Sequence, residues 1–268
     1  MRTLEVLLRR ERAVTAVGLA ALTLLAWIYV WRGAGMGMSA LDMTTFTLFP
    51  HAQAEPMPGM TMPAIAWVTV VSMWWVMMIA MMTPSAAPLL LLYGLVLRHA
   101  AARNQPGVVH VSPVFLVSGY LAVWLAFSIV AAVLQYLLQR IGLISAMMLS
   151  SKSAWLSAVV LVSAGAYQLS PLKRACLSHC RGPIAFLTAH WQPGRIGAFV
   201  MGLEHGAWCV GCCWVLMALL FVGGAMNLAW IALLALLVLV EKVIPHGVTV
   251  GRVAGGILIV WGLVTLGV

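Results

Sequence analysis

Charge is scarce in this sequence. Only 8% of its 268 residues are Asp, Glu, Lys or Arg, and six of them are acidic. Chains that fold in water carry about 25% charged residues, so the composition lies far outside that of a soluble globular domain. Cysteine is also rare, at five. No second C-x-x-C pair is present to complete a structural zinc site. A Walker A glycine loop and an aspartyl-phosphate motif are both missing, which argues against ATP-driven pumping by this chain. Any transport would be passive, ion-coupled or powered by a partner. There is no internal repeat.

Apolar residues make up 63% of the chain. A bilayer core of ~30 Å needs about 20 mainly apolar residues per helix, and the sequence offers that length several times over. The reading is an all-α, polytopic transmembrane helix bundle forming one membrane domain over residues 1–268. Seven spans are expected: Ala13 to Trp31, Ile65 to Leu97, Ser112 to Leu138, Ala154 to Leu169, Gly197 to Val222, Asn227 to Val240 and Val248 to Gly267. The turn Val222-Gly223-Gly224-Ala225 separates the fifth span from the sixth. The first span has too long an apolar core for a signal peptide and no small-residue cleavage site after it, so it is read as retained. The second is too long for one straight crossing, and Pro84 and Pro88 are expected to kink or break it, with a re-entrant or two-piece helix as alternatives.

The net charge of +9 does not indicate nucleic acid, because the basic residues lie between the apolar runs and form no patch or stripe. They report topology. With the N-terminus inside, twelve basic residues fall in inner segments, and only Arg32, Arg140 and Lys152 fall outside. Residues 32–63 then form an outer loop that carries Met36, Met38, Met43, Met57, Met60 and Met62 with Asp42, His51 and Glu55. Thioethers select copper(I) or silver(I) over magnesium, calcium or manganese, so this loop is a candidate for metal capture.

The fifth span contains Met201-Gly202-Leu203-Glu204-His205-Gly206-Ala207-Trp208-Cys209-Val210-Gly211-Cys212-Cys213. At about 100° per residue and with His205 as zero, Cys209 falls near about +40°, Cys212 near about −20° and Cys213 near about +80°. These donors share one helix face. Gly202 and Gly206 lie on the same side and let a neighbouring helix approach. Glu204, ionisable at membrane depth, is read as a proton carrier, a partner that orients His205, or a ligand. On the second span Met77 and Met81 form a stripe with Met73, beside Trp74, Met78 and Met82. Its functional weight depends on meeting the fifth span.

A second cluster, Cys176, His179 and Cys180, lies in the predicted inner loop among Lys173, Arg174, Arg181 and Arg195, whose positive charge favours thiolates. Cys209 and Cys212 are formally C-x-x-C. In a regular helix their Cβ atoms stand ~5–6 Å apart, too far for a disulfide. Glu241 and Lys242 are read as markers of the membrane interface, His99, His110, His190 and His246 as interfacial, and Gly251 and Gly255 as helix packing.

The segments Met77 to Ala86, Tyr167 to Lys173, Cys176 to Cys180 and Gly202 to Cys213 together resemble a bacterial family of domains of unknown function, described as predicted metal-binding integral membrane proteins. The resemblance runs from about Ala64 to Lys242 and implies metal binding and a bacterial inner-membrane location. It supplies no reaction. Three functions follow as expectations. The first is storage, delivery or translocation of a soft metal, with copper(I) before silver, zinc or iron. The second is a membrane thiol oxidoreductase working through Cys209 and Cys212 or through Cys176 and Cys180, with a quinone as one option for its partner. The third is a scaffold subunit in a larger complex or homo-oligomer.

Overall fold

The computed structural model describes residues 2–35, 40–44, 67–102, 112–145 and 149–267, and among these the regular structure is entirely helical. In chain order the helices are α1 (Arg2–Trp31), α2 (Trp67–Ala102), α3 (Pro113–Arg140), α4 (Ala154–Leu169), α5 (Pro171–Arg181), α6 (Pro183–Ala189), α7 (Gly194–Ala218), α8 (Leu220–Gly223), α9 (Leu228–Val243) and α10 (Gly247–Gly267). Five stretches are long and apolar enough to cross a bilayer: Ala13–Trp31, Trp67–Arg98, Pro113–Arg140, Gly194–Gly223 and Gly247–Gly267. The pair α4 and α5, bent by 65°, makes a sixth if counted as one span. α9, the remaining expected span, has 16 residues. That is ~24 Å of helix against a ~30 Å core.

Apolar side chains also face outward. Val17 and Leu25 on α1, Trp155 and Val159 on α4, and Ile257 and Val260 on α10 are all well exposed. An outer surface of this kind fits a lipid solvent.

α2 does not break. It runs as one helix of 36 residues through Pro84 and Pro88, so of the alternatives left open the continuous helix is the one found and the two-piece or re-entrant form is not. Prolines are tolerated in membrane helices where other groups satisfy the freed backbone. The carbonyls that lose a helical donor are those of Ala80 and Pro84; between the prolines, the Ser85 hydroxyl donates to the Met82 carbonyl at 2.8 Å, and the Tyr120 hydroxyl donates to the same oxygen at 3.2 Å, tying this stretch of α2 to α3. The chain breaks instead at Ser170-Pro171. Ser170 is extended (φ −69°, ψ 150°), caps α4, and accepts from the Lys173 amide at 3.1 Å to start α5. A proline disfavours helical geometry in the residue before it and suits the first position of a helix, so this dipeptide ends one helix and starts the next.

Small residues set the main packing. A Cβ on Gly202 of α7 would overlap the Leu116 carbonyl of α3, and one on Gly119 would overlap the Phe199 carbonyl in return. Gly165 of α4 and Gly255 of α10 make the same close approach. The partner expected for the glycine face of α7 is therefore α3. Because backbone opposes backbone there, Gly202→Ala is expected to cost about 1–3 kcal/mol through overpacking. Thermal unfolding in detergent checks this; an unchanged midpoint would mean that α3 and α7 are free to separate.

Candidate metal-handling site

α7 is a regular helix through the whole Cys209 to Cys213 segment, and its inward face buries Met201, His205, Cys209, Cys212 and Cys213. The Cys212 and Cys213 thiols turn back and donate to the Cys209 carbonyl at 3.1 and 3.0 Å. α5 lies across this face. Its Cys180 thiol is 3.9 Å from that of Cys212, so the inner-loop cluster and the α7 cluster form one site. Cys176 packs against Gly211, where a Cβ would come within 3.3 Å of its sulfur. The Tyr167 hydroxyl donates to the Gly211 carbonyl beside it. All five cysteines are free thiols and buried.

Cys209 is the most tightly surrounded of the five. The Tyr120 hydroxyl lies 3.2 Å from its sulfur, and the Lys242 ammonium donates to it at 2.8 Å while standing 3.3 Å from Ser85 Oγ. Lys242 faces Cys180, Cys212 and Cys213 as well. His205 belongs to the same group. It is 4% exposed, packs between Tyr120 and Phe186, and its Nδ1 has no hydrogen-bond partner among the described residues.

Other expected donors lie apart. His179 is half-buried, stacked on Trp208 with centroids 4.1 Å apart, and its Nδ1 meets the Ala175 carbonyl at 3.0 Å. Glu204 is turned to His190 at 3.1 Å, both about one-third exposed, and is not placed to orient His205. Met77 and Met81 are fully buried in the core that also holds the thiols. α2 packs chiefly on α1, α3 and α9, however, and not broadly on α7. Its links to the site run through the Met82 carbonyl and Ser85. Met36, Met38, Met57, Met60 and Met62 lie outside the described residues.

Glu241 and Lys242 do not mark an interface; both are buried, which corrects the sequence reading. Consecutive residues on a helix point about 100° apart, so the two serve different neighbours. Lys242 enters the thiol site. Glu241 pairs with Lys173 of α5 at 2.5 Å and accepts from Gln168 of α4 at 2.6 Å. An acid and a base side by side at the end of an apolar run was the available signal. Burial required them to find partners on other helices.

Among the described residues no three His, Cys, Asp or Glu side chains stand grouped as a ready-made ion site. The thiols are held in hydrogen bonds to the backbone and to Lys242. Release of Cys212 and Cys213 from the Cys209 carbonyl needs only a change of side-chain rotamer, so the donors present fit a soft ion without movement of α7.

Buried thiols on two facing helices, with an imidazole and thioethers nearby, are the donor chemistry of a protein that handles a soft metal. The chain belongs to the PpoB2 family, described as copper chaperone, whose model matches residues 71–265. Copper is the metal which that description names, in agreement with the resemblance to metal-binding proteins. No curated protein and no solved structure matches the chain.

Proposed function

We propose that the protein is an integral membrane chaperone for Cu(I) in the bacterial inner membrane. It holds the ion on the sulfurs of Cys180, Cys209 and Cys212, two of them as thiolates and the third as a neutral thiol, with Cys213 and His205 as further donors. The observation that carries this reading is the meeting of α5 and α7 thiols in a dry core. Two sulfurs 3.9 Å apart, each bonded to an ion at ~2.3 Å, subtend about 116° there, close to trigonal. Delivery is favoured over storage by the family description, copper chaperone. His179 and the methionines of residues 32–63 are further donors in this proposal.

The seven-span arrangement with an inside N-terminus completes the proposal. Lys173 and Lys242 are buried and drop out of the basic-residue tally, leaving ten against three and the same orientation.

Anaerobically purified protein, titrated with Cu(I) against a Cu(I) chelator, tests the reading. About one tightly held ion per chain is expected, and none after the thiols are alkylated in denaturant and the protein is refolded. Failure to compete with the chelator would end the proposal. The thiol-oxidoreductase reading, expected at Cys209 with Cys212 or at Cys176 with Cys180, needs a disulfide that opens and closes, and the sulfurs of Cys180 and Cys212, 3.9 Å apart, are the pair that now favours it. Alkylation mapping under oxidising and reducing conditions separates the two: thiols that stay reduced throughout remove the redox reading.

A further inference from the structure

We propose that Lys242 is the charge-balancing residue of the thiol site and makes it selective for a monovalent soft ion. This rests on the reading of Cys180, Cys209 and Cys212 as copper ligands.

A lysine at the end of an apolar helix normally reaches water with its ammonium. Lys242 does not; it is 7% exposed, and its Nζ is fixed between Cys209 Sγ at 2.8 Å and Ser85 Oγ at 3.3 Å. A buried ammonium needs a negative partner. The adjacent carboxylate, Glu241, is committed to Lys173 and Gln168. Glu204 is committed to His190. The group that Lys242 contacts and that can carry negative charge is the Cys209 sulfur, with Ser85 on its other side; its charge also acts on Cys212, Cys180 and Cys213, and on Tyr120 and His205. The site is therefore built to hold negative charge on sulfur, and among the described residues the Lys242 ammonium is the full positive charge in contact with a thiol.

Charge accounting then selects the ion. Two thiolates around Cu(I) carry a net charge of −1, and the Lys242 ammonium brings the unit to zero. The same two thiolates around a divalent ion are already neutral, so Lys242 would leave an uncompensated positive charge in a low-dielectric interior. Such an ion could reach neutrality here only by recruiting a third thiolate. Silver(I), with the same charge and softness, is accepted on the same terms as copper(I).

The experiment uses the full-length protein in detergent, with Cu(I) and Zn(II) affinities each measured by chelator competition for wild type, Lys242→Met and Lys242→Arg. In Lys242→Met, Cu(I) affinity is expected to fall at least ~100-fold while Zn(II) affinity changes less than ~10-fold, so the ratio of the two moves toward zinc. Lys242→Arg, which keeps the charge, should hold Cu(I) within ~10-fold of wild type. Wild-type Cu(I) binding in Lys242→Met overturns the inference. So does an equal loss of Cu(I) and Zn(II) that arginine does not rescue, because that pattern reports a structural role. Should Lys242→Met fail to elute as a single folded species, Lys242→Gln is read by the same criteria. The inference fails alone if Cu(I) binding depends on the cysteines and not on Lys242. The ligand reading fails with it if wild type holds no Cu(I).

Discussion

With Cys209→Ser and Cys212→Ser together, the protein is expected to lose at least ~100-fold in Cu(I) affinity, equivalent to about 2.7 kcal/mol. A serine hydroxyl replaces a soft thiolate with a hard donor of nearly the same size, so the ligand is lost while the packing is largely kept. The hydroxyl at position 212 can still donate to the carbonyl of residue 209, as the thiol does at 3.1 Å. Position 209 is different. Its thiol stands 2.8 Å from Lys242, and serine there leaves a buried ammonium without an anionic partner, so this variant is also expected to be less stable. Cys180→Ser with Cys212→Ser supplies the control. It removes the pair 3.9 Å apart and leaves the contact between Lys242 and Cys209 in place. A comparable loss of copper with a smaller loss of stability is expected. Chelator competition and thermal unfolding on the same samples decide the matter. Two variants that bind Cu(I) as wild type does would remove these sulfurs from the site.

The inward face of α7 was legible because helical periodicity places donors without reference to any neighbour. His205, Cys209, Cys212 and Cys213 share one side by angle alone, and all four are buried. Periodicity does not say what that side faces. The sequence reading looked to the methionine stripe of α2, yet the glycines brought α3 against α7, and α5 supplied the opposing thiol. Whether α2 continues or breaks stayed open for a related reason. Proline removes a backbone donor, but the contacts that hold the helix through that stretch include one from Tyr120, 38 residues away in the chain, to the Met82 carbonyl. Lys242 was misread because charge at the end of an apolar run ordinarily reaches water, and only the position of α9 beside α2 and α7 shows that it does not.

Removing one partner of the buried ion pair should give the largest loss of stability in the molecule. Glu241→Ala leaves the Lys173 ammonium, 4% exposed, without its carboxylate, and is expected to cost about 3–5 kcal/mol. Lys173→Met combined with Glu241→Leu removes both charges and should recover most of that loss, since an apolar pair of similar volume avoids desolvating either ion. The consequence reaches the metal site through α5. Lys173 lies in the first turn of that helix, just past the 65° break, and Arg181 at its other end donates to the Ile244 and Pro245 carbonyls at 2.6 and 2.8 Å. Both ends of α5 are thus tied to α9 and the residues just after it, and between these ties the helix carries Cys176 and Cys180. Glu241→Ala releases one tie, so Cys180 is held less firmly against Cys212, and Cu(I) affinity should fall by about 10-fold, in the range seen when groups that orient metal ligands are removed. Thermal unfolding in detergent and chelator competition measure the two effects separately. If Glu241→Ala is as stable as wild type, Lys173 has access to water and the clamp on α5 does not exist. If stability falls but copper binding does not, α5 is held against α7 by the Cys176 and Gly211 contact alone.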